Sequence, residues 1–261
     1  MMALSQLNEI QMIVFGLIML RMIAFIFSSA IFGSPTIPVI AKILFSLILT
    51  MMMYSSVATN IVIARVSEMQ NQIILLAFFE IFIGLCLGFL TQFFFFAISM
   101  AGEMISISLG LGQAQIFNPL MGNHGNALEQ FLVMFASLVF FAINGHHLVI
   151  QGLIQSFSTI TLSNVSINAI EFRNVALAAQ DIFMIAVKLS SPIVISMLVV
   201  QMGIGLLSRA VPQINVLSTA ASVSALLGII LLFICLPLMS IQMNGALEQT
   251  SSYFFRFVKG I

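Results

Sequence analysis

The charged residues carry the most chemical information in this chain, because there are so few of them. Among 261 residues, eight are Lys or Arg and eight are Asp or Glu. Arg21, Glu80, Glu103, Lys188 and Arg209 stand inside, or at the end of, long apolar stretches. An ionisable side chain in such a setting costs about 2.5–3.5 kcal/mol on insertion scales, so its default reading is functional. One chemistry it offers is proton relay. The other is ion pairing, within the chain or with a partner subunit, which holds an assembly in register. Glu80 and Glu103 fall on different apolar segments, and neither has a second carboxylate at helical spacing. That spacing favours pairing over relay.

Nothing points to catalysis. No His-Glu-x-x-His, paired aspartates or Gly-x-Ser-x-Gly occurs, and His146-His147 has no ligand partner nearby in sequence. Cys86 and Cys235 lie in apolar runs and read as packing residues. Three histidines without a Cys-His cluster argue against zinc. The expectation is no catalytic residue, no cofactor and no metal. A net charge of zero leaves no case for nucleic acid, which needs clustered Lys or Arg against its phosphates.

The elements that must position these residues are helices in an apolar medium. The chain is 61% hydrophobic and 6% charged, with a mean hydropathy of +1.19; soluble domains carry about 25% charged residues. A membrane helix needs about 20 apolar residues. Runs of that order occur at roughly 10–32, 37–63, 73–101, 131–155, 182–207 and 214–240. The expected fold is an all-α integral membrane protein with about six long apolar helices and one broken half-helix. The half-helix is 103–117, interrupted by Gly102, Gly110 and Gly112. Pro35 and Pro38 part the first two helices, and Pro212 and Gln213 lie in the turn between the last two. The first run reads as a retained helix: its start has no basic residue, and Arg21 interrupts it. A polar stretch at 161–181 divides an N-terminal part, 1–160, from a C-terminal hairpin and short tail, 182–261.

Two small-residue signals fall on these helices. Gly84 and Gly88 form a small-xxx-small step that lets two helix backbones approach closely. Gly203 and Gly205 sit together on a later helix. The segment 110–126 differs in kind. Gly110, Gly112 and Pro119 favour irregular backbone, and Gln113, Gln115, Asn118, Asn123, His124 and Asn126 are unsuited to lipid. Such backbone at membrane depth is tolerated only where protein buries it or water lines it, so this loop suits a plug.

Four stretches carry a family likeness. They are Arg21 with Pro35, Pro38 and Lys42; Ala101-Gly-Glu103 leading to Ile116-Phe-Asn-Pro119; Asn144-Gly-His146 followed by Gln155-Ser-Phe157; and Ser191-Pro192 leading to Arg209-Ala-Val-Pro-Gln-Ile-Asn-Val216. On these residues the chain resembles the FliR/SctT family, the R-type export-gate subunit of flagellar and virulence type III secretion systems; their spread suggests the flagellar branch. Asn118 stands where the family usually has Asp. The resemblance implies a structural subunit of a closed export gate in the bacterial inner membrane, at the core of the basal body. Its partners would be P-type and Q-type subunits in a hetero-oligomer, other export-apparatus membrane proteins, unfolded protein substrates and the lipid bilayer. It implies a P-like helical part at 1–160 and a Q-like hairpin from 182. It also implies that the apolar helices need not cross the bilayer singly, because they pack on sister subunits. Gly110, Gly112, Ile116, Phe117, Asn118 and Pro119 would form the plug. Arg21, Glu80, Glu103, Lys188, Arg209, Pro212 and Gln213 would serve assembly. The alternative is a secondary transporter or ion-conducting protein, but transporters show repeated halves with matched broken helices, and here there is one clear break, at 110–119.

Overall fold

A computed structural model of the chain describes residues 2–58, 63, 66–67, 70–111, 127–159, 169–210 and 216–260. Among the described residues the protein is all-helical. Its α-helices are α1 (Met2–Ser28), α2 (Val39–Val57), α3 (Ile73–Ser108), α4 (Ala127–Ala142), α5 (Gly145–Thr159), α6 (Ala169–Ala210) and α7 (Val216–Gly260). Five of these are long and apolar enough to cross a membrane. An all-α integral membrane protein is what the composition required.

The boundaries follow local chemistry. Pro38 caps the start of α2, where a missing N–H costs nothing. The expected run at 131–155 is two helices, because Asn144 takes a left-handed conformation at φ 59°. Asn tolerates that region better than most residues, since its short side chain can bond locally. Three sequence expectations need revision. Residues 103–108 are not a separate half-helix; they complete α3, so Glu80 and Glu103 share one continuous helix. Residues 169–181, read as connector, form the first turns of α6. Residues 241–260, read largely as tail, continue α7.

The contacts divide the chain into two compact units. The first holds residues 1–93, 145–178 and 249–261. Here α1 buries Val14, Leu17, Ile18, Met22 and Phe25, a three-four spacing that makes one helical stripe. On α3 the matching stripe is Leu76, Glu80, Ile83, Leu87 and Leu90. Gly84 and Gly88 let the two backbones touch: a Cβ at Gly84 would stand 2.5 Å from the Arg21 carbonyl oxygen, and one at Gly88 2.7 Å from that of Phe25. Beyond α1, Lys42 donates from Nζ to the Gly33 carbonyl at 2.8 Å and so ties the turn between α1 and α2.

The second unit holds residues 94–144 and 179–248. Its core contains Phe94, Ala97, Ile98, Ala101 and Ile105 of α3, Leu132, Ala136 and Phe140 of α4, and Ile185, Leu189, Ile193 and Met197 of α6. Met104 and Ser190 meet, with Oγ 3.5 Å from Sδ. Gly228 of α7 receives Leu109, whose Cγ lies 2.3 Å from where a Cβ would be.

The glycines of the two units differ in their surroundings, which gives a test. Gly84→Ala puts a methyl group into backbone and should destabilise the purified chain by about 1–3 kcal/mol, the usual cost of overpacking. Gly203 has nothing within 4 Å of its Cβ direction, so Gly203→Ala should be neutral or gain up to about 1 kcal/mol of helix propensity. Thermal unfolding in detergent compares the two; equal shifts would contradict the α1–α3 contact.

Candidate functional site

In the first unit, α1, α3 and α5 meet around one guanidinium. Arg21 is 0% exposed and Glu80 1%. Arg21 Nε donates to Glu80 Oε2 at 2.5 Å and Nη2 to Oε1 at 2.9 Å, the forked geometry that suits Arg and a carboxylate. Nη1 reaches the Ser156 hydroxyl at 3.3 Å, and that hydroxyl donates onward to the Leu153 carbonyl. The Phe157 ring lies 4.1 Å from Arg21 Cζ, a cation–π distance. Both charges are therefore compensated inside the unit. α5 is itself wedged in place: a Cβ at Gly152 would stand 2.0 Å from the Phe254 ring, so α7's last turns press against it.

Pairing was expected of the buried charges, and Arg21 and Glu80 do pair. Glu103 and Lys188 do not join them; both are exposed, as is Arg209 in the last turn of α6. Ser156 and Phe157 appeared in the sequence only as part of a motif. Their role beside Arg21 spans 135 residues, and no local signal carries it.

In the second unit, the described residues on either side of 112–126 are firmly held. α3 closes with Gly110 at φ 79°. The Leu111 N–H bonds the Ser106 carbonyl and the Gly110 N–H that of Ile107, the paired bonds of a Schellman cap. Gln201 Nε2 donates to the Ser108 carbonyl at 2.8 Å, satisfying another free carbonyl at this end. At the start of α4, the Ser99 hydroxyl donates to the Glu129 carboxylate. A Cβ at Gly102 would lie 2.9 Å from Glu129 Cα, so the first turn of α4 sits directly on α3. Of the expected plug residues only Gly110 is described; Gly112, Ile116, Phe117, Asn118 and Pro119 lie outside the described residues, as do Pro212 and Gln213.

The family described as "Bacterial export proteins, family 1" matches residues 12–250. The chain belongs to that family. Its relatives carry a consistent name. Flagellar biosynthetic protein FliR of Bacillus subtilis (strain 168) is 27% identical over 239 residues, covering 90% of this chain and 91% of the relative. FliR of Escherichia coli (strain K12) is 28% identical over 222 residues, 85% of this chain and 84% of the relative. FliR of Buchnera aphidicola subsp. Baizongia pistaciae is 34% identical over 165 residues, 63% and 64% of the two chains. Membership in the FliR family makes this chain a membrane component of the flagellar export apparatus. The Arg21 cluster and the capped end of α3 lie within the matched region.

The cluster yields a prediction of sign and size. Glu80→Ala leaves the guanidinium buried without its carboxylate and should cost about 3–5 kcal/mol. The joint replacement Arg21→Met with Glu80→Leu removes both charges and should cost much less than the sum of Arg21→Met and Glu80→Leu alone. A thermal-unfolding cycle on the full chain measures the coupling, and additive single costs would exclude the pair as a unit.

Proposed function

We propose that this family member is a structural subunit of a closed conduit, through which unfolded substrate proteins leave the cell. It works without catalysis, inside the basal body at the bacterial inner membrane, joined to P-type and Q-type subunits and to other membrane proteins of the apparatus. In this reading residues 1–160 are the P-like part and 182–240 the Q-like hairpin. The carrying observation is the family match over residues 12–250. The paired state of Arg21 and Glu80 further favours a structural role over ion transport, because charges locked by each other are poor carriers.

Within that conduit, 110–126 is the plug, with Ile116 and Phe117 the apolar stopper. Support comes from its flanks. The Schellman cap at Gly110 and the Glu129–Ser99 contact hold the segment's two approaches in place, a fixed frame for a gate. Closure by two large apolar side chains amounts to about 1.5–3 kcal/mol each when fully buried, a barrier that an arriving substrate can overcome.

Deleting 112–120 should therefore raise ion or small-solute leakage across the membrane while the protein still co-purifies with its partner subunits. A deletion complex that assembles and remains as tight as the parent would reduce the segment to a connector.

A further inference from the structure

Glu103 and Lys188 are opposite charges that stand near one level on two helices of the second unit, yet they do not meet. The Ser190 hydroxyl on α6 lies 3.5 Å from Met104 Sδ on α3. Glu103 precedes Met104, and Lys188 lies about 3 Å of helix rise before Ser190. Both side chains are exposed. Among the described residues neither makes an ion pair, with the other or with a third group. The first unit shows what this chain does with charges that can reach each other: Arg21 and Glu80 close into a fork.

Each of the two charges interrupts an apolar stripe. On α3, Phe96, Met100 and Ile107 fall within about 60° of Glu103 at 100° per residue, and all three are exposed. On α6, Met184 and Ile195 fall within about 40° of Lys188, and they are exposed as well. A face that met water would carry more polar residues round its charges. Acyl chains would leave both charges unmet, which is costly in an apolar medium. A layer of anionic phosphates would suit Lys188 but repel Glu103 at the same level. The surface that fits both is apolar round about, with a cation opposite Glu103 and an acid opposite Lys188.

We propose that Glu103 and Lys188 are the two halves of a docking site for a membrane helix of a neighbouring subunit, one that presents a Lys or Arg to Glu103 and an Asp or Glu to Lys188 across an otherwise apolar contact. The stripes supply the contact, and the charges fix which helix binds and at what height. A wrong helix, or the right one slipped by a turn, leaves a charge unmatched or against its own sign, and both are penalised. The inference rests on the reading of the chain as a subunit of a hetero-oligomer and names the chemistry of one of its contacts; the plug has no part in it.

The test uses the full tagged chain in its native membranes and measures recovery of the membrane subunits that co-purify with the parent. Glu103→Lys and Lys188→Glu should each cut recovery of one such subunit at least about tenfold, the penalty for an unmatched charge at a close contact. The isolated variants should unfold in detergent at the parent's temperature. The double variant, E103K with K188E, should not restore recovery, because each new charge then faces its own sign. Changing the Lys and Arg residues of that subunit's apolar helices to Glu, one at a time, should find a position that restores recovery to E103K. Parental recovery in both single variants would overturn the proposal. So would restored recovery in the double variant, which would show the two side chains serving each other within the chain, or a lowered unfolding temperature of the isolated variants, which would make the loss one of folding. Loss confined to a differently tagged copy of this chain would make the contact one between copies and would overturn it too. A parent that recovers no membrane subunit sinks the hetero-oligomer reading itself; a parent and charge variants that recover them equally sink the docking site alone.

Discussion

A guanidinium enclosed in an apolar bundle sets conditions on everything packed round it. Its charge cannot be removed by deprotonation, since Arg stays protonated in proteins, so compensation must come from neighbours. Arg21 obtains it from Glu80, Ser156 and Phe157, which lie on two other helices. Each must arrive at the right height and rotation. That requirement explains the glycine step on α3. With Gly84 and Gly88 against the α1 backbone, the helices are near enough for a short, forked contact. In apolar surroundings such pairs add little net stability compared with apolar packing, but misalignment is severely penalised. We read the pair as a register device for α1, α3 and α5.

The second unit handles its polar groups differently. It keeps Glu103, Lys188 and Arg209 at its exterior, and several of its polar contacts fall at helix ends. The cap at Gly110, the Gln201 bond to Ser108 and the contact of Ser99 with Glu129 all serve the end of α3 or the beginning of α4. A chain with 6% charged residues has few ways to satisfy a broken backbone, and it spends several of its polar side chains there.

Much of this was legible from residue types alone. Apolar run lengths located the long helices, prolines marked the first interhelical turn, and isolated charges pointed to Arg21 and Glu80. The failures share a cause. Gly102 was taken as a breaker, yet it remains helical because the first turn of α4 occupies the space its missing side chain leaves. The polar residues at 169–181 were taken as connector, yet polarity does not prevent helix formation. Asn144 divides a run whose hydropathy is continuous. Ser156 and Phe157 are recognisable as partners of Arg21 only once α5 is placed. Tertiary contact decided each of these, and a linear pattern does not contain it.

The contact between Gly152 and Phe254 bears on how the protein is made. The first unit draws on residues 1–93 and also on 249–261. In synthesis α1, α2 and the first turns of α3 are made long before Phe254, which wedges α5, with the residues of the second unit coming between them. Domains generally fold as units once their chain is available. For this unit that moment waits until Phe254 has been made. A product cut short before Phe254 therefore lacks the wedge behind Ser156 and Phe157, and so carries an unfinished setting for its own arginine.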